Sequence, residues 1–573
     1  MIDLSPVRQK LIETQDYVLV LGGPGSGKTT IALLKADHEI RTGQLKRGQR
    51  ILFLSFARAT IARVAQQAGK LIAGPDHNIL EINTYHGFAW NFLQSHGYLL
   101  NASRLIRVLP PPEAAALLAA IEPKDRLIEK HRLYSEEGLL HFDLFAAVSA
   151  EVLSRSKRLA TIISDTYPII ILDEFQDTNL DEWRMIQVLG LRSRLIALAD
   201  ADQRIYEFRG ADPKRIGEFI SAYAPTQFDL VTENNRSNGT DIVIFGNDLL
   251  TGANKSKRYT DVVLVAYIFY RGRSAHFEMK TTVIQGIRRL LKGGKGTWSI
   301  AVLVPTKRLM LSVSDYLSSA TDGLPPITHD VALDSEGPAL AAILISGLLE
   351  GGSSNTAVEK QLIADLCSHI RGRRGNDSPA QCELDLAGAL DSYVLSGAIR
   401  GKKRLQIVSE CLRIAEERGN NKMSGAPWDD WLWVRRLLET SSAKALQLVA
   451  EDAKYLRLLH KGAVLSERLN ELWRANGGYM GAGSAVRNAL LQEHFSSSTK
   501  DWRGVNVMTI HKSKGKEFDE VFIYEGSHQG RIVRANASPN DIAQARLVLR
   551  VAVTRAINRT TILSPKNDMC VFL

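Results

Sequence analysis

The sequence has few of the features that mark secreted or membrane proteins. Its 573 residues include four cysteines, Cys367, Cys382, Cys411 and Cys570, and no two of them form a CxxC pair. This spacing disfavours a zinc ribbon, a disulfide framework and an iron–sulfur cluster built by this chain alone. No apolar run approaches the ~20 residues that a membrane helix needs, and the first residues lack the apolar stretch of a signal peptide. We therefore expect a cytoplasmic protein without a membrane partner.

The composition is typical of a large globular protein with a small excess of positive charge. Hydrophobic residues make up 45% of the chain and charged residues 23%, and the length predicts several domains. Lys and Arg number 72 against 62 acidic residues, which gives a net charge of +10. This excess is compatible with a polyanionic partner, but the charge alone does not establish one.

Short apolar runs alternate with helical patterns in two parts of the chain, and this alternation predicts α/β layers around parallel sheets. The longest run, Val262 to Tyr270, is predicted to be a buried strand or a core helix. The other candidate strands lie at residues 17–21, 51–55, 79–82, 168–172, 195–199, 300–304, 505–509 and 521–524.

Two stretches without strand patterns interrupt the α/β parts, and we predict that both are helical insertions. The predicted organisation is a first α/β domain at residues 1–91 and 146–229, a short insertion at 92–145, a second α/β domain at 230–330 and 500–573, and a larger insertion at 331–499.

A glycine-rich loop follows the first candidate strand. Residues 22–29 read GGPGSGKT, the GxxxxGK[ST] pattern in which glycines let backbone N–H groups approach phosphate oxygens. Lys28 is expected to reach the β and γ phosphates, and Thr29 to ligate Mg²⁺. The sequence therefore predicts a nucleoside triphosphate site that comprises Gly22, Gly23, Pro24, Gly25, Ser26, Gly27, Lys28, Thr29 and Thr30.

Two adjacent carboxylates, Asp173 and Glu174, follow the apolar run at residues 168–172. Hydrolysis of a nucleotide needs a metal holder and a base. We expect Asp173 to hold Mg²⁺ through water and Glu174 to polarise the attacking water. On these two motifs alone, a kinase and a GTPase switch remain open.

The segment DEFQD at residues 173–177 resembles the D-E-x-Q-D box of the UvrD-like DNA helicases of superfamily 1A. Further segments resemble other boxes of that family in the same order. They are LSFARA at 54–59, TYHGF at 84–88, DADQRIYEFRGA at 200–211, NNRS at 234–237, IAVLVPT at 300–306, MTIHKSKGKEF at 508–518 and VAVTRA at 551–556.

The resemblance implies an α/β fold of two RecA-like P-loop NTPase domains, each with a mainly helical insertion, and ATP in the cleft between them. By position, Arg236 and Arg555 reach the γ phosphate from the second domain, Gln203 senses that phosphate, and Glu517 and Gln9 contact the nucleotide. Two guanidiniums that meet the phosphate only in a closed cleft would couple closure to the nucleotide state. The implied catalytic set is Lys28, Asp173, Glu174, Gln203, Arg236 and Arg555.

The resemblance also implies a channel for single-stranded DNA, where aromatic rings stack on bases beside cationic phosphate contacts. The matching positions are Phe56, Arg58, His86, Phe208, Arg209 and His511.

The chain departs from the family pattern without losing a catalytic group. Arg8 occupies the register of the family's adenine-reading glutamine, and Gln9 lies one residue further along. Elsewhere, Asn235 and Arg550 each replace a usual tyrosine, Phe208 a tryptophan, Ala199 a glycine and Lys516 a leucine.

The first hypothesis is a DNA-stimulated ATPase that uses ATP and Mg²⁺ to move 3′→5′ along single-stranded DNA and to separate the strands of forked DNA. Its polarity comes wholly from the resemblance. The alternative is an ATP-gated DNA-sensing or recruiting subunit that works beside a nuclease, as in anti-phage systems such as Gabija, and unwinds little. A nuclease or a repair protein is the expected protein partner. An RNA helicase is disfavoured because the boxes resemble the DNA branch.

Overall fold

The computed structural model describes residues 5–23, 25–56, 58–72, 78–100, 105–200, 212, 214–230, 239–269, 273–294, 296–331, 336–375, 378–454, 464–495, 502–526, 530–533 and 537–573, without the side chains of 58, 59, 464 and 493–495. The chain divides into two compact units. An α/β unit comprises Met1–Asn91, Ala146–Leu333 and Ser497–Leu573, and a helical unit comprises Phe92–Phe145 and Asp334–Ser496.

The first lobe of the α/β unit is a six-stranded parallel sheet with strand order β3-β2-β6-β7-β1-β8, and its strands β2 and β6 are buried on both faces. Its strands are β1 (Val18–Leu21), β2 (Ile51–Ser55), β3 (Leu80–Thr84), β6 (Ile169–Leu172), β7 (Arg194–Ala199) and β8 (Thr226–Asp229). Its helices are α1 (Pro6–Glu13), α2 (Lys28–Arg41), α3 (Arg58–Leu71), α4 (Tyr85–His96), α7 (Phe145–Arg155), α8 (Lys157–Thr166), α9 (Leu180–Gly190) and α10 (Arg215–Tyr223).

The register of this sheet brings its functional loops to one edge. Leu21 of β1 pairs with Ala199 of β7, so the residues that follow both strands lie side by side. Leu54 of β2 pairs with Leu172 of β6 in the same way. Ligands of parallel sheets bind at the carboxyl ends of the strands, and here the glycine-rich loop and the paired carboxylates share that edge.

The second lobe is also a six-stranded parallel sheet, with strand order β11-β12-β10-β13-β14-β9. Its strands are β9 (Val262–Tyr267), β10 (Ser299–Val304), β11 (His329–Val331), β12 (Gly504–Thr509), β13 (Phe518–Tyr524) and β14 (Ala556–Pro565). Its helices are α11 (Ile242–Thr251), α12 (Phe277–Lys292), α13 (Lys307–Ser318) and α22 (Pro539–Val553). Two parallel sheets flanked by helices confirm the predicted α/β class.

One strand prediction needs correction. The apolar run that begins at Val262 forms β9, but β9 is an edge strand, and Leu264 is 48% exposed. Val262 and Tyr267 face the core, whereas Ile268 and Phe269 beyond the strand are exposed. An edge strand is covered less completely than a central one, so a continuous apolar run here did not mean complete burial.

The helical unit combines the two stretches predicted to be insertions. The first supplies β4 (Arg107–Leu109), α5 (Pro111–Leu118), α6 (Arg126–Arg132) and β5 (Leu139–His141), and β4 and β5 form a two-stranded parallel sheet. The first insertion is therefore not purely helical, and its strands were missed because three residues are too few to give an alternating pattern. The second supplies α14 (Glu336–Glu350), α15 (Asn355–Gly372), α16 (Gln381–Ser396), α17 (Lys402–Asn420), α18 (Pro427–Glu439), α19 (Lys444–Ala453), α20 (Val464–Asn476) and α21 (Ala482–Phe495).

The core of the helical unit is built around α14. This helix is apolar on nearly all sides and buries eleven of its fifteen residues, as expected of a helix at the centre of a bundle. Helix α5 packs against α14 and α15, and Arg487 of α21 bonds the Glu113 carboxylate at 3.0 Å. The four-domain boundaries remain a prediction, while the two insertions form one compact unit. Within the described ranges, no helix is long and apolar enough to cross a membrane.

Candidate nucleotide site

The glycine-rich loop joins β1 to α2, as the sequence predicted. Gly25 and Gly27 have φ angles of 76° and 83°, a left-handed conformation that glycine adopts without steric cost. Gly27 precedes the first helical residue, Lys28. The loop therefore leads directly into the N-terminus of α2, where backbone N–H groups and the helix dipole favour an anion.

The loop is shaped so that a side chain at Gly22 would not fit. A Cβ atom added there would lie 2.5 Å from Ser26 Oγ and 3.2 Å from Lys28 Cγ. The Lys28 ammonium donates to the carbonyl oxygens of Gly22 and Gly23 at 2.6 and 3.2 Å. Lys28 therefore closes the loop on itself, and these contacts use two of the three N–H bonds of its ammonium group.

Asp173 and Glu174 follow β6 at the same edge of the sheet. The Asp173 amide donates to the Leu54 carbonyl at 2.8 Å, and the Ser55 hydroxyl donates to the Asp173 carboxylate at 3.0 Å. Glu174 has a φ angle of 52°, a sparsely populated conformation for a residue with a side chain, and such conformations cluster at functional sites. The Gln176 amide donates to the Glu174 carboxylate at 2.6 Å.

The two carboxylates differ in their affinity for a proton. Burial and the neighbouring Glu174 raise the pKa of Asp173 to about 6. Burial also acts to raise the pKa of Glu174, but Lys514 and Lys28 lower it. The Gln176 hydrogen bond and Arg555 add to this, and the pKa of Glu174 lies below its ordinary value. A carboxylate that stays ionised can accept a proton from water.

A cavity of about 210 Å³ separates the loop and the carboxylates from the second lobe. Its first-lobe lining consists of Gly23, Gly25, Ser26, Gly27, Lys28, Thr29, Thr30, Arg63, Gln67, Asp173 and Glu174. Its second-lobe lining consists of Gly515, Glu517 and Arg555. Of the residues predicted to bind the nucleotide, the structure thus gathers Lys28, Asp173, Glu174, Glu517 and Arg555 around one cavity.

Arg555 is held by local contacts of the second lobe, whereas Glu517 contacts the first lobe. Arg555 is 2% exposed, and its guanidinium donates to the Val551 carbonyl at 2.9 Å and to the Thr554 hydroxyl at 3.3 Å. Glu517 forms an ion pair with Arg63 of α3 across the cavity. The helix end that carries Arg555 therefore fixes a cation opposite the phosphate loop.

The residues present fit a nucleotide with its magnesium ion. Mg²⁺ is usually bound by one or two protein ligands together with phosphate oxygens and water. Thr29 and Asp173 line the same cavity and offer a hydroxyl and a carboxylate for that role. Among the described residues, no three His, Cys, Asp or Glu side chains gather into a metal site.

The N-terminal helix meets the loop through Arg8 and not through Gln9. The Arg8 guanidinium donates to the Ser26 carbonyl at 2.8 Å. Gln9 is exposed, does not line the cavity, and donates to Glu13 of its own helix at 3.1 Å. Arg8 and Gln9 make different contacts because the side chains of adjacent residues in a helix point about 100° apart. A contact between Gln9 and adenine stays a prediction.

The described residues of the predicted DNA channel follow the strands of both sheets. Phe56 follows β2, and its ring stacks on Tyr85 with the centroids 4.5 Å apart. His86 lies in the first turn of α4, directly after β3. His511 follows β12, and burial and then Lys514 lower its pKa, which favours the neutral imidazole. The role of these three side chains in DNA binding stays a prediction.

Other predicted site residues lie outside the described part of the chain. They are Pro24, Gln203, Phe208, Arg209, Arg236 and the side chain of Arg58.

Two residues that line the cavity from α3, Arg63 and Gln67, were not predicted from the sequence. They are four residues apart, so they lie on one face of the helix. The sequence signal for these two residues is their four-residue spacing in the helix that begins at the LSFARA segment. It is weak, because many surface helices carry polar residues at this spacing.

The fold and the site together define a two-lobed P-loop nucleoside triphosphatase. The family model described as the UvrD/REP helicase N-terminal domain matches residues 5–137 and 126–224, and that of the UvrD-like helicase C-terminal domain matches residues 461–566. The chain belongs to the UvrD-like DNA helicase family. Membership confirms the resemblance found in the sequence and implies ATP as the nucleotide.

Several relatives match most of this chain at low identity. The putative ATP-dependent DNA helicase YjcD of Bacillus subtilis is 23% identical over 97% of this chain and 78% of its own length. The ATP-dependent DNA helicase UvrD1 of Mycobacterium tuberculosis is 22% identical over 96% and 80%. The exonuclease/helicase subunit RexA of Lactococcus lactis is 24% identical over 69% of this chain but only 37% of its own length.

Proposed function

We propose that this chain is an ATP-dependent DNA helicase that couples DNA-stimulated ATP hydrolysis to 3′→5′ movement on single-stranded DNA and to strand separation. The observation that carries the proposal is the cavity in which the phosphate loop and two carboxylates of one lobe face Arg555 of the other. The 3′→5′ direction rests on the family resemblance. The substrates proposed are single-stranded and forked DNA, and the proposed location is the cytoplasm.

Each side chain has a proposed task in hydrolysis. Lys28 binds the phosphates, while Thr29 and Asp173 would hold Mg²⁺. The metal ion supplies charge neutralisation on the phosphate oxygens. Glu174 orients the attacking water and accepts its proton. Arg555 neutralises the charge that develops on the γ phosphate when the lobes are closed.

The decisive experiment compares Lys28→Ala with Lys46→Ala. Lys46 is an exposed residue of the first lobe that does not line the cavity. We expect Lys28→Ala to abolish ATP hydrolysis and Lys46→Ala to leave it unchanged, with both variants folded by circular dichroism. Unchanged turnover in Lys28→Ala would refute the assignment of the ATP site.

A second assay tests the coupling to DNA. Forked duplexes with 3′ or 5′ tails are offered to the wild type, and ATP hydrolysis is followed on single-stranded DNA and on RNA. We expect stimulation by DNA and displacement only from the 3′-tailed substrate. Displacement from the 5′-tailed substrate alone would reverse the proposed polarity.

A second candidate function is an ATP-gated DNA-binding subunit that works beside a nuclease. The match to RexA of Lactococcus lactis, which is named as an exonuclease/helicase subunit, favours it. Strong DNA-stimulated hydrolysis without displacement of a forked duplex would support this candidate. Efficient displacement by the purified chain alone would exclude it.

A further inference from the structure

Two buried ion pairs join the lobes outside the lining of the ATP cavity. Lys514 of the second lobe pairs with Asp177, and the two side chains are 4% and 1% exposed. Arg550 of α22 lies 3.7 Å from the Asp200 carboxylate, and these side chains are 2% and 4% exposed. We call these four residues the interlobe clasp.

The first-lobe members of the clasp are connected to the proposed base by one buried side chain. Gln176 is fully buried. Its amide nitrogen donates to the Glu174 carboxylate at 2.6 Å, and its amide oxygen accepts from the Asp200 backbone N–H at 3.0 Å. Asp177 follows Gln176 directly in the chain. Gln176 therefore links the Asp200 backbone to the Glu174 carboxylate through two hydrogen bonds.

The second-lobe member Arg550 is connected to Arg555, which is proposed to neutralise the γ phosphate. Arg550 and Arg555 are five residues apart at the end of α22, and the backbone of Thr554 donates to the Arg550 carbonyl at 3.1 Å. The Arg550 guanidinium also donates to the side-chain oxygen of Asn247 in α11 at 3.0 Å. This hydrogen bond fixes the orientation of the guanidinium within the second lobe. The C-terminal turn of α22 thus carries the clasp residue Arg550 and is followed directly by the segment that holds Arg555.

The charge of Arg550 is buried beside that of Asp200. A buried ion pair gains its attraction only when its geometry is good, and the loss of one partner leaves a charge without compensation. Such a pair favours one relative position of the two lobes over others.

We propose that Arg550 is a positioning residue for ATP hydrolysis. Through Asp200 and Gln176 it places Glu174 correctly relative to Arg555 when the lobes close. The inference rests on the proposed function, because it assigns Arg550 an effect on the positions of Glu174 and Arg555. Its effect is on the hydrolytic step and not on nucleotide binding, since none of the clasp residues lines the cavity.

The test uses Arg550→Met, which keeps an unbranched stem of similar volume and removes the charge. We expect kcat of the DNA-stimulated ATPase to fall about tenfold to hundredfold, the range that a misplaced catalytic group causes, with less than a twofold change in KM for ATP. Arg550→Lys retains the charge and should recover most of kcat. The matched control is Arg288→Met, which removes an exposed charge from the same lobe.

A double-mutant cycle with Asp200→Asn completes the test. If Asp200 and Arg550 act as one pair, Asp200→Asn lowers kcat in the wild type but has little further effect in Arg550→Met. Thermal unfolding checks that each variant is folded. Should Arg550→Met not fold, Arg550→Lys and Asp200→Asn still report the kcat and KM split.

Additive losses, a change in KM alone, or wild-type kcat in Arg550→Met would overturn the inference. The Lys28→Ala result separates this failure from that of the proposed function. An inactive Lys28→Ala variant together with an unaffected Arg550→Met variant refutes only the positioning role of Arg550. An active Lys28→Ala variant refutes the ATP site itself.

Discussion

The two lobes have the same architecture but present opposite edges of their sheets to the ATP cavity. The first lobe contributes residues that follow its strands, namely the loop after β1 and the carboxylates after β6. The second lobe contributes residues that precede its strands, with Gly515 and Glu517 before β13 and Arg555 before β14. The same parallel fold thus carries the phosphate-binding loop at the carboxyl edge of the first sheet and the cationic Arg555 at the opposite edge of the second sheet.

The difference extends to the chemistry of the buried groups. The first lobe places acids at its carboxyl edge, and Ser55 and Gln176 hold them. In the second lobe, the carboxylate after β13 is Glu525, which accepts hydrogen bonds from the Ser564 hydroxyl and the Ile532 amide at 2.8 and 2.9 Å. These contacts give Glu525 a structural role in its own lobe. Among the described residues, only the first lobe therefore has carboxylates that line the cavity from the carboxyl end of a strand.

The largest expected effect concerns the positive charge that the second lobe contributes to the ATP cavity through Arg555. We expect Arg555→Ala to lower kcat for ATP about 10³-fold, as the loss of an arginine finger does, with a smaller change in KM. The matched control Arg288→Ala removes an exposed charge from the same lobe and should change neither constant. Steady-state ATPase assays measure both. Equal kcat in Arg555→Ala and Arg288→Ala would contradict the proposal that the second lobe supplies positive charge for hydrolysis.

A second, smaller effect tests the cradle of the first lobe. We expect Gly22→Ala to weaken ATP binding about tenfold, because the new Cβ would crowd Ser26 Oγ and Lys28 Cγ. Gly217→Ala is the control, since a Cβ there meets nothing within 4 Å and alanine favours the helix. Titration with a fluorescent ATP analogue measures the affinity. A Gly22→Ala variant with wild-type affinity would show that the loop adapts.

The lobes should also respond differently to pH. A guanidinium keeps its charge across the accessible range, whereas the pKa of Asp173 is raised to about 6. As the pH falls from about 7.5 to about 5.5, through this pKa, protons compete with Mg²⁺ for Asp173, and we expect the Mg²⁺ concentration for half-maximal ATPase to rise several-fold. Magnesium titrations at both pH values measure it. A constant magnesium requirement would contradict this prediction.

The smallest expected effect concerns the ion pair between Arg63 and Glu517. Both side chains are about 30% exposed, and such pairs contribute up to about 1 kcal/mol. We expect Arg63→Gln to raise KM for ATP by at most about fivefold. The same assay on Arg41→Gln, which removes an exposed ion pair with Asp37 in the same lobe, gives the reference. A loss as large as that of Arg555→Ala would place Arg63 among the phosphate contacts.

The strands of the fold could be predicted where their apolar runs are continuous. The runs at residues 51–55 and 300–304 match β2 and β10 closely. In contrast, β14 was not predicted, because Asn558, Arg559 and Thr560 interrupt its apolar pattern. Its strand conformation depends on pairing with β13 and β9, and β9 is distant in sequence.

The sequence by itself determined the phosphate loop, the position of Asp173 and Glu174, and the family. These features are contiguous, and each depends on a local junction between a strand and the segment that follows it. Only the tertiary structure decided that Arg8 meets the loop, that Arg63 and Gln67 line the cavity, and that Lys514 and Arg550 pair with acids of the other lobe. The physical reason is that these contacts join residues far apart in the chain, and only the pairing and packing of the two sheets bring them within reach.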